Sequence, residues 1–275
     1  MPIERSTIER WLREDLGHHD VTNDVPGETE GRLVARDSGV AGGIDAAAAV
    51  FEYLDVSVDT RCAAGGSVAP GDELLSVSGP ASAVLRAERT AVNVAGHASG
   101  IATRTRRAVE SARAVSESVA VAGTRKTTPG LRGIEKRAIA AGGGDTHRLD
   151  LSHMVMIKDN QINELGVERA IERFRELASF ATRIEVEAES IETAVTAAEA
   201  GADIVLLDNV TPAETETAVA RLPETVLTEA SGGITLEDVE AYAATGVDVV
   251  SIGALTHSAP ALDLSFRTGD SAASE

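Results

Sequence analysis

The sequence predicts an α/β chain: a β/α barrel of six or seven strands, short of the full eight, preceded by a small α+β domain. Three observations carry this. Six short runs rich in Val, Ile and Leu recur after residue 118: VAVAG, MVMIK, IEVEAE, IVLLD, TVLTEA and VDVVSIGA. Helical stretches separate them, and fully buried parallel strands read as such continuous apolar runs. Glu187, Asp208, Ser231 and Gly253 close the last four runs at spacings of 21, 23 and 22 residues, the period of a repeated β–α unit.

Taken in order, Ser6 and Glu9 have the spacing of a capping box. Ile8, Trp11, Leu12 and Leu16 then fall on one helical face, which Gly17 stops. To about residue 80, short apolar runs alternate with Gly and Pro, and Pro70-Gly71 marks a turn. From Ala81 to Glu117 the pattern is helical and Ala-rich. A helix is expected from Pro129, another from Thr235, and a frayed tail from Leu262 onward. The expected organisation is residues 1–103 as an α+β domain, 104–258 as the barrel, and 259–275 as a C-terminal segment and tail.

Composition excludes several functions. The chain has 275 residues, 43% of them hydrophobic and seven aromatic, so the core is built from Ala, Val, Leu and Ile. A formal charge of -19 argues against nucleic acid and anionic membranes as partners. Of 25 basic residues 22 are Arg, and only Lys126, Lys136 and Lys158 are Lys. That acidic, Lys-poor composition is expected of a halophile, and it marks the surviving lysines for attention. The single cysteine, Cys62, excludes an intramolecular disulfide and a cysteine metal cluster. The charged N-terminal stretch and the lack of any run of ~20 apolar residues lead us to expect a soluble, cytoplasmic protein. His18, His19 and Asp20 read as a solvated turn, His97 as structural, and Met154 and Met156 as core.

In a β/α barrel the C-terminal strand ends share one face, where catalytic groups gather. Lys126 and Lys158 close two earlier strands, so two lysines, two carboxylates and a Ser-Gly-Gly loop are expected at one mouth. Arg125, His147 and Arg148 add cationic donors, and Arg forks match carboxylate and phosphate geometry. Arg132, Lys136 and Arg137 are as well explained by surface ion pairs. The loops EASGGI and IGALTH carry Gly in the last two repeats, as a phosphate cradle requires. Glu187 and Asp208, facing that cradle, suit ribose hydroxyls or a Mg²⁺ bridging phosphates. A sugar phosphate bearing further negative charge is the expected substrate class.

The strings TRKTTPGLR, GGGxxHR, IKDN, EVE, LLDN, E-x-SGG and GALTH, in this order, resemble quinolinate phosphoribosyltransferase. ERTAVNVAGHASGIAT (88–103) extends the resemblance over nearly the whole chain. It implies transfer of phosphoribosyl from phosphoribosyl diphosphate to quinolinate with decarboxylation, giving nicotinate mononucleotide for NAD synthesis, with Mg²⁺ accompanying the diphosphate. It implies that Arg125, Lys126, His147 and Arg148 hold quinolinate, that Thr124 lies beside them, and that Arg89 reaches in from the second subunit of a homodimer. Lys158, Glu187 and Asp208 would meet phosphoribosyl diphosphate. Ser231, Gly232, Gly233 and Gly253 would bind its 5′-phosphate, with Ile252, Ala254 and His257 nearby. Lys126, Lys158, Glu187 and Asp208 are the implied catalytic residues. Gly123, Thr146, Asp150 and Gln161 depart from the family pattern, and none is an implied substrate contact.

Two rivals share the fold. A molybdenum-transport-associated paralogue would bind rather than catalyse, and the complete set Arg89, Arg125, His147, Arg148 favours the enzyme. A Schiff-base aldolase would use Lys126 or Lys158 as nucleophile, which requires an apolar, desolvated amine. Lys126 follows Arg125, and Lys158 precedes Asp159.

Overall fold

The computed structural model describes residues 3–269 and divides them into two compact units. One holds the chain up to Arg106, Pro129–Gly143 and the segment from Ser258 onward. The other holds Arg107–Thr128 and Gly144–His257.

The first unit opens with helix α1 (Arg5–Leu16), whose Ile8 and Leu12 are buried and whose end is marked by Gly17 in a positive-φ conformation. The expected capping box does not form. Glu4 is the N-cap, and Ser6 lies inside the helix with its hydroxyl donating to Glu4 Oε2 at 3.2 Å. Then come β1 (Glu28–Ala35), β2 (Gly39–Val40), α2 (Ile44–Tyr53), β3 (Ser57–Thr60), β4 (Ser67–Val68), β5 (Glu73–Pro80) and the long α3 (Ala81–Val115), which from Arg107 onward belongs to the second unit. Strands β1, β3 and β5 pair antiparallel, and β2 pairs with β4. Phe51, Leu33, Leu74 and Leu75 fill the core between sheet and helices. Asp20 accepts from the Thr22 and Asn23 amides and pairs with Arg86 at 2.9 Å. Those backbone hydrogen bonds and the guanidinium hold its carboxyl well below the usual range. Cys62 is a half-buried thiol pushed up by burial and by Asp72.

Strand β6 (Ala120–Ala122) begins the second unit's sheet, and α4 (Arg132–Ala141) returns to the first unit. Its Ile134, Ala138 and Ile139 pack with Ala46, Ala98 and Ile101. His97 meets the buried Glu135 at 3.0 Å, the structural role expected of it. This helix starts three residues later than expected, because Gly130 at φ 84° cannot continue a helix from Pro129.

The second unit continues with β7 (Val155–Ile157), α5 (Asp159–Leu165), α6 (Val167–Leu177), β8 (Ile184–Ala188), α7 (Ile191–Glu199), β9 (Ile204–Asp208) and α8 (Pro212–Val219). After them come β10 (Leu227–Ser231), α9 (Val239–Ala243), β11 (Val249–Ser251) and α10 (Ala254–His257). Its strands form one parallel sheet in the order β6-β11-β10-β9-β8-β7, the expected barrel at the lower strand count among the described residues. Asp145 adds a single parallel bridge to Ala122 at the β6 edge. Helix starts follow local chemistry. Thr211 and Glu214 cap α8 reciprocally with Pro212 behind them, and Ser190 accepts the Thr193 amide to start α7. Helix α9 begins at Val239 rather than Thr235, because Asp238 Oδ2 first accepts the Thr235 amide (3.0 Å) and hydroxyl (2.7 Å) in a turn.

The stretch from Leu262, expected to fray, instead forms β12 (Leu264–Thr268), which pairs antiparallel with β1 and stacks Phe266 on Phe51 at 5.4 Å. The remaining tail residues, 270–275, lie outside the described residues. No helix among those described is long and apolar enough to cross a membrane.

Candidate active site

Alternation along β8 shapes the second unit's interior. Ile184, Val186 and Ala188 pack outward with Ala170, Ile171, Ala194 and Ala197, so Glu185 and Glu187 face the other way. Register places Glu187, Leu206 and Glu229 at one level and Asp208 with Ser231 at the level above. All parallel strands end on the same side, and a cavity of about 490 Å³ opens there, within the range of small-molecule sites. Its lining includes Thr124, Arg125, Lys126, His147, Arg148, Lys158, Glu187, Asp208, Ser231, Gly232, Gly233, Gly253, Ala254 and His257, the groups expected at the mouth.

Each is held by local structure. The Lys126 amide donates to Thr124 Oγ1 (3.0 Å), and Thr256 Oγ1 donates to the Lys126 carbonyl (2.6 Å). A Cβ on Gly253 would come within 2.8 Å of Lys126 Cδ, so glycine lets that side chain cross the loop. Lys158 is the N-cap of α5; its amide donates to Gln161 Oε1 at 3.0 Å and its ammonium pairs with Glu187. The departure at Gln161 thus supports a site residue. Asn209 donates to Asp208 Oδ2 at 2.8 Å, and its amide donates to the Ser231 carbonyl at 2.9 Å. Gly232, at φ 96°, passes so close to Asn209 that a Cβ would lie 2.4 Å from its backbone nitrogen. The Ser-Gly-Gly turn therefore shows backbone where a side chain would block it.

Charge concentrates at the β6–β7 side. Arg148 is buried; it donates to Met156 Sδ at 3.3 Å, and its Nε has no hydrogen-bond partner among the described residues. Burial and then the like charge of Arg125 lower its pKa, while Glu185 opposes them. His147 holds a left-handed backbone (φ 52°) because its amide donates to Asp145 Oδ1 at 2.5 Å. Its Nε2 lies 3.1 Å from Glu229 Oε2, a hydrogen bond, and 3.6 Å from Glu185 Oε1, an ion-pair contact. Burial disfavours the imidazolium, but the two carboxylates outweigh it and push His147 up to about 10.

Two expected residues lie elsewhere. Arg89 is on α3 in the first unit, 63% exposed and 3.6 Å from Glu88, and is not part of the cavity lining. Ile252 is buried in an apolar cluster with Val121 and Val250, and its amide donates to the Ala122 carbonyl. Sequence reasoning did not single out Glu185, Glu229 or Ser251 as site residues. Glu-Val-Glu in β8 and the Glu two residues before Ser231 were the available signals.

A parallel β/α unit whose strand ends gather guanidinium, imidazole, ammonium and carboxylate groups around a glycine turn defines a barrel enzyme for multiply anionic substrates. The chain matches the quinolinate phosphoribosyl transferase C-terminal domain over residues 101–267 and the N-terminal domain over residues 19–99. It is 42% identical over 270 residues to a probable nicotinate-nucleotide pyrophosphorylase (carboxylating) of Methanothermobacter thermautotrophicus, across 94% of this chain and 97% of that one. It is 41% identical over 267 residues to the nicotinate-nucleotide pyrophosphorylase (carboxylating) of Homo sapiens, across 94% and 90% of the two chains. The structure of the nicotinate-nucleotide pyrophosphorylase from Francisella tularensis aligns with a TM-score of 0.91 at 30% identity, over 98% of each chain. The chain belongs to the quinolinate phosphoribosyl transferase family.

Proposed function

We propose that this mouth catalyses transfer of phosphoribosyl from phosphoribosyl diphosphate to quinolinate, yielding nicotinate mononucleotide, CO₂ and diphosphate. The observation that carries the assignment is one cavity in which Arg125, Lys126, His147 and Arg148 face Glu187, Asp208 and the Ser231-Gly232-Gly233 turn. The cations hold the two ring carboxylates and so aim the pyridine nitrogen at the ribose C1. The glycine turn, with Gly253, Ala254 and His257, takes the 5′-phosphate, and Thr124 and the Ile252 backbone support the loops on either side.

As the bond from C1 to diphosphate breaks and the bond to nitrogen forms, positive charge develops on the sugar. Glu187 and Asp208 stabilise it electrostatically, while Lys158, paired with Glu187, meets the departing diphosphate. Mg²⁺ arrives as part of the substrate, neutralising the diphosphate it accompanies. The C2 carboxylate then leaves as CO₂, and the electron pair left on the ring beside the cationic nitrogen is quenched by a proton. Lys126, beside Arg125 at this end of the cavity, holds the electrostatic environment of that step.

Two features weaken the rivals. Lys158 is ion-paired with Glu187 and Lys126 stands next to Arg125, so neither is the desolvated neutral amine an aldolase needs. A transport accessory has no use for a dicarboxylate pocket. Arg89 is assigned to the quinolinate site of a partner subunit in a homodimer, and its exposed guanidinium supports this. Calorimetric titration tests the pocket. Quinolinate should bind the wild type and lose at least tenfold in affinity with Arg148→Ala, whereas equal binding by both would remove the assignment.

A further inference from the structure

Glu185 and Glu229 are inward-facing carboxylates for which the reaction described above has no use. Both are buried, Glu185 one inward-facing position below Glu187 and Glu229 one below Ser231. Buried carboxylates are tolerated when a cation or several donors compensate them. Yet both oxygens of Glu185 and Oε1 of Glu229 have no hydrogen-bond partner among the described residues. What the two carboxylates share is His147, whose Nε2 lies 3.1 Å from Glu229 Oε2 and 3.6 Å from Glu185 Oε1.

That geometry fixes the ring. A bare nitrogen lone pair facing two carboxylates would be repelled by both, so Nε2 carries a proton and donates. Nδ1 is buried and has no hydrogen-bond partner among the described residues, in a ring that lines the cavity. The remaining charged groups around this cluster are Arg148, which interacts with Glu185 and with Arg125, Arg125 itself, and Asp145, which accepts the His147 amide. Burial raises the Glu185 carboxyl, the like charge of Glu229 adds to this, and the nearby His147 opposes it without cancelling it. With two buried carboxylates at Nε2, the shared proton stays on the imidazole. Glu185, Glu229 and Asp145 match His147, Arg148 and Arg125 charge for charge, so the imidazolium is compensated within the cluster.

We propose that Glu185 and Glu229 are positioning residues that clamp His147 as an imidazolium and present its Nδ1–H to a quinolinate carboxylate, so that the pocket selects a dicarboxylate at any working pH. The proposal rests on the cavity being the quinolinate site. The side chains of His147, Glu185 and Glu229 also offer ligand atoms within 4.8 Å of one another, as a metal site would. A dication there would sit against Arg148 and Arg125, whereas a proton satisfies the same carboxylates at lower charge.

The test uses Glu185→Gln and Glu229→Gln, which keep size and remove charge, with Glu185→Asp as the variant that keeps the charge. Histidine side-chain NMR on the substrate-free protein should find wild-type His147 protonated beyond pH ~8.5. The Gln variants should titrate near the ordinary value of about 6.5, and Glu185→Asp should stay high. The wild-type KM for quinolinate should be flat from about pH 6 to 8.5. In the Gln variants it should rise at least tenfold across that interval and recover at the acid end, with the KM for phosphoribosyl diphosphate unchanged. A purely structural role would raise KM equally at every pH, and that result overturns the proposal. So does a wild-type His147 titrating near 6.5, or a metal ion retained by the wild type and lost with Glu185→Gln. Failure of the site assignment reads differently: Arg148→Ala would leave quinolinate binding intact while NMR still reports the clamped imidazolium.

Discussion

Glu187 and Asp208 end adjacent strands and face the same cavity, one pinned by Lys158 and the other by Asn209. Their value lies in the transition state, when charge appears on the sugar, rather than in holding the fold. Glu187→Gln and Asp208→Asn should each lower kcat more than tenfold, about 1.4 kcal/mol of lost stabilisation or more. Their thermal melting curves should overlay the wild type's, and full activity in either variant would displace the ribose site. At this scale the residues at strand ends were readable from their 21-to-23-residue spacing. Glu185 and Glu229 were hidden because their strands were read as continuous apolar runs, which conceals which side chains turn inward. Only register between strands shows that Glu229 stands level with Glu187 and that Glu185 lies one inward-facing level below them.

Among the elements, the glycine turn after β10 constrains the site most tightly. Gly232 combines φ 96° with an approach to the Asn209 backbone, so an added methyl meets atoms that cannot rotate away. Gly232→Ala should cost about 1–3 kcal/mol of stability and raise the KM for phosphoribosyl diphosphate severalfold. At Gly253→Ala the one close approach is to the flexible Lys126 side chain, with Thr124 and His257 at ordinary contact distance, so the change should affect kcat while sparing stability. Denaturant melts and steady-state kinetics on the pair check this, and equal stability losses would contradict it. The alternation of strands and helices was legible from hydrophobic pattern, but three boundaries were not. Ser6 is bypassed by a cap at Glu4, Gly130 delays α4, and Asp238 turns the chain before α9. In each case a local hydrogen bond or backbone angle decided the start, and periodicity carries no record of either. Strand β12 was missed because its partner, β1, lies more than two hundred residues earlier in the chain.

At the scale of the whole molecule, the proposed homodimer assigns each site one barrel and the Arg89 of the other subunit. Arg89→Ala and Lys126→Ala homodimers should then be nearly inactive. Heterodimers of the two should contain one site with both lesions and one with neither. Random pairing would restore about a quarter of wild-type activity, a consequence of two-fold symmetry. A mixture that stays inactive despite proven heterodimers would place Arg89 in its own subunit's chemistry or in none. The barrel, its N-terminal companion and the anionic substrate class were all legible in the sequence, because repeated spacing and sparse lysines are visible without coordinates. The interleaving of the two units was not, since α4 joins the first through contacts with Ala46, Ala98 and Ile101. The central claim is decarboxylating transfer to a dicarboxylate, and product stoichiometry tests it most directly. Purified protein given quinolinate, phosphoribosyl diphosphate and Mg²⁺ should release CO₂ and diphosphate in equal amounts as nicotinate mononucleotide forms, and should use nicotinate poorly. Diphosphate released without CO₂, or nicotinate turned over as fast as quinolinate, would contradict the account.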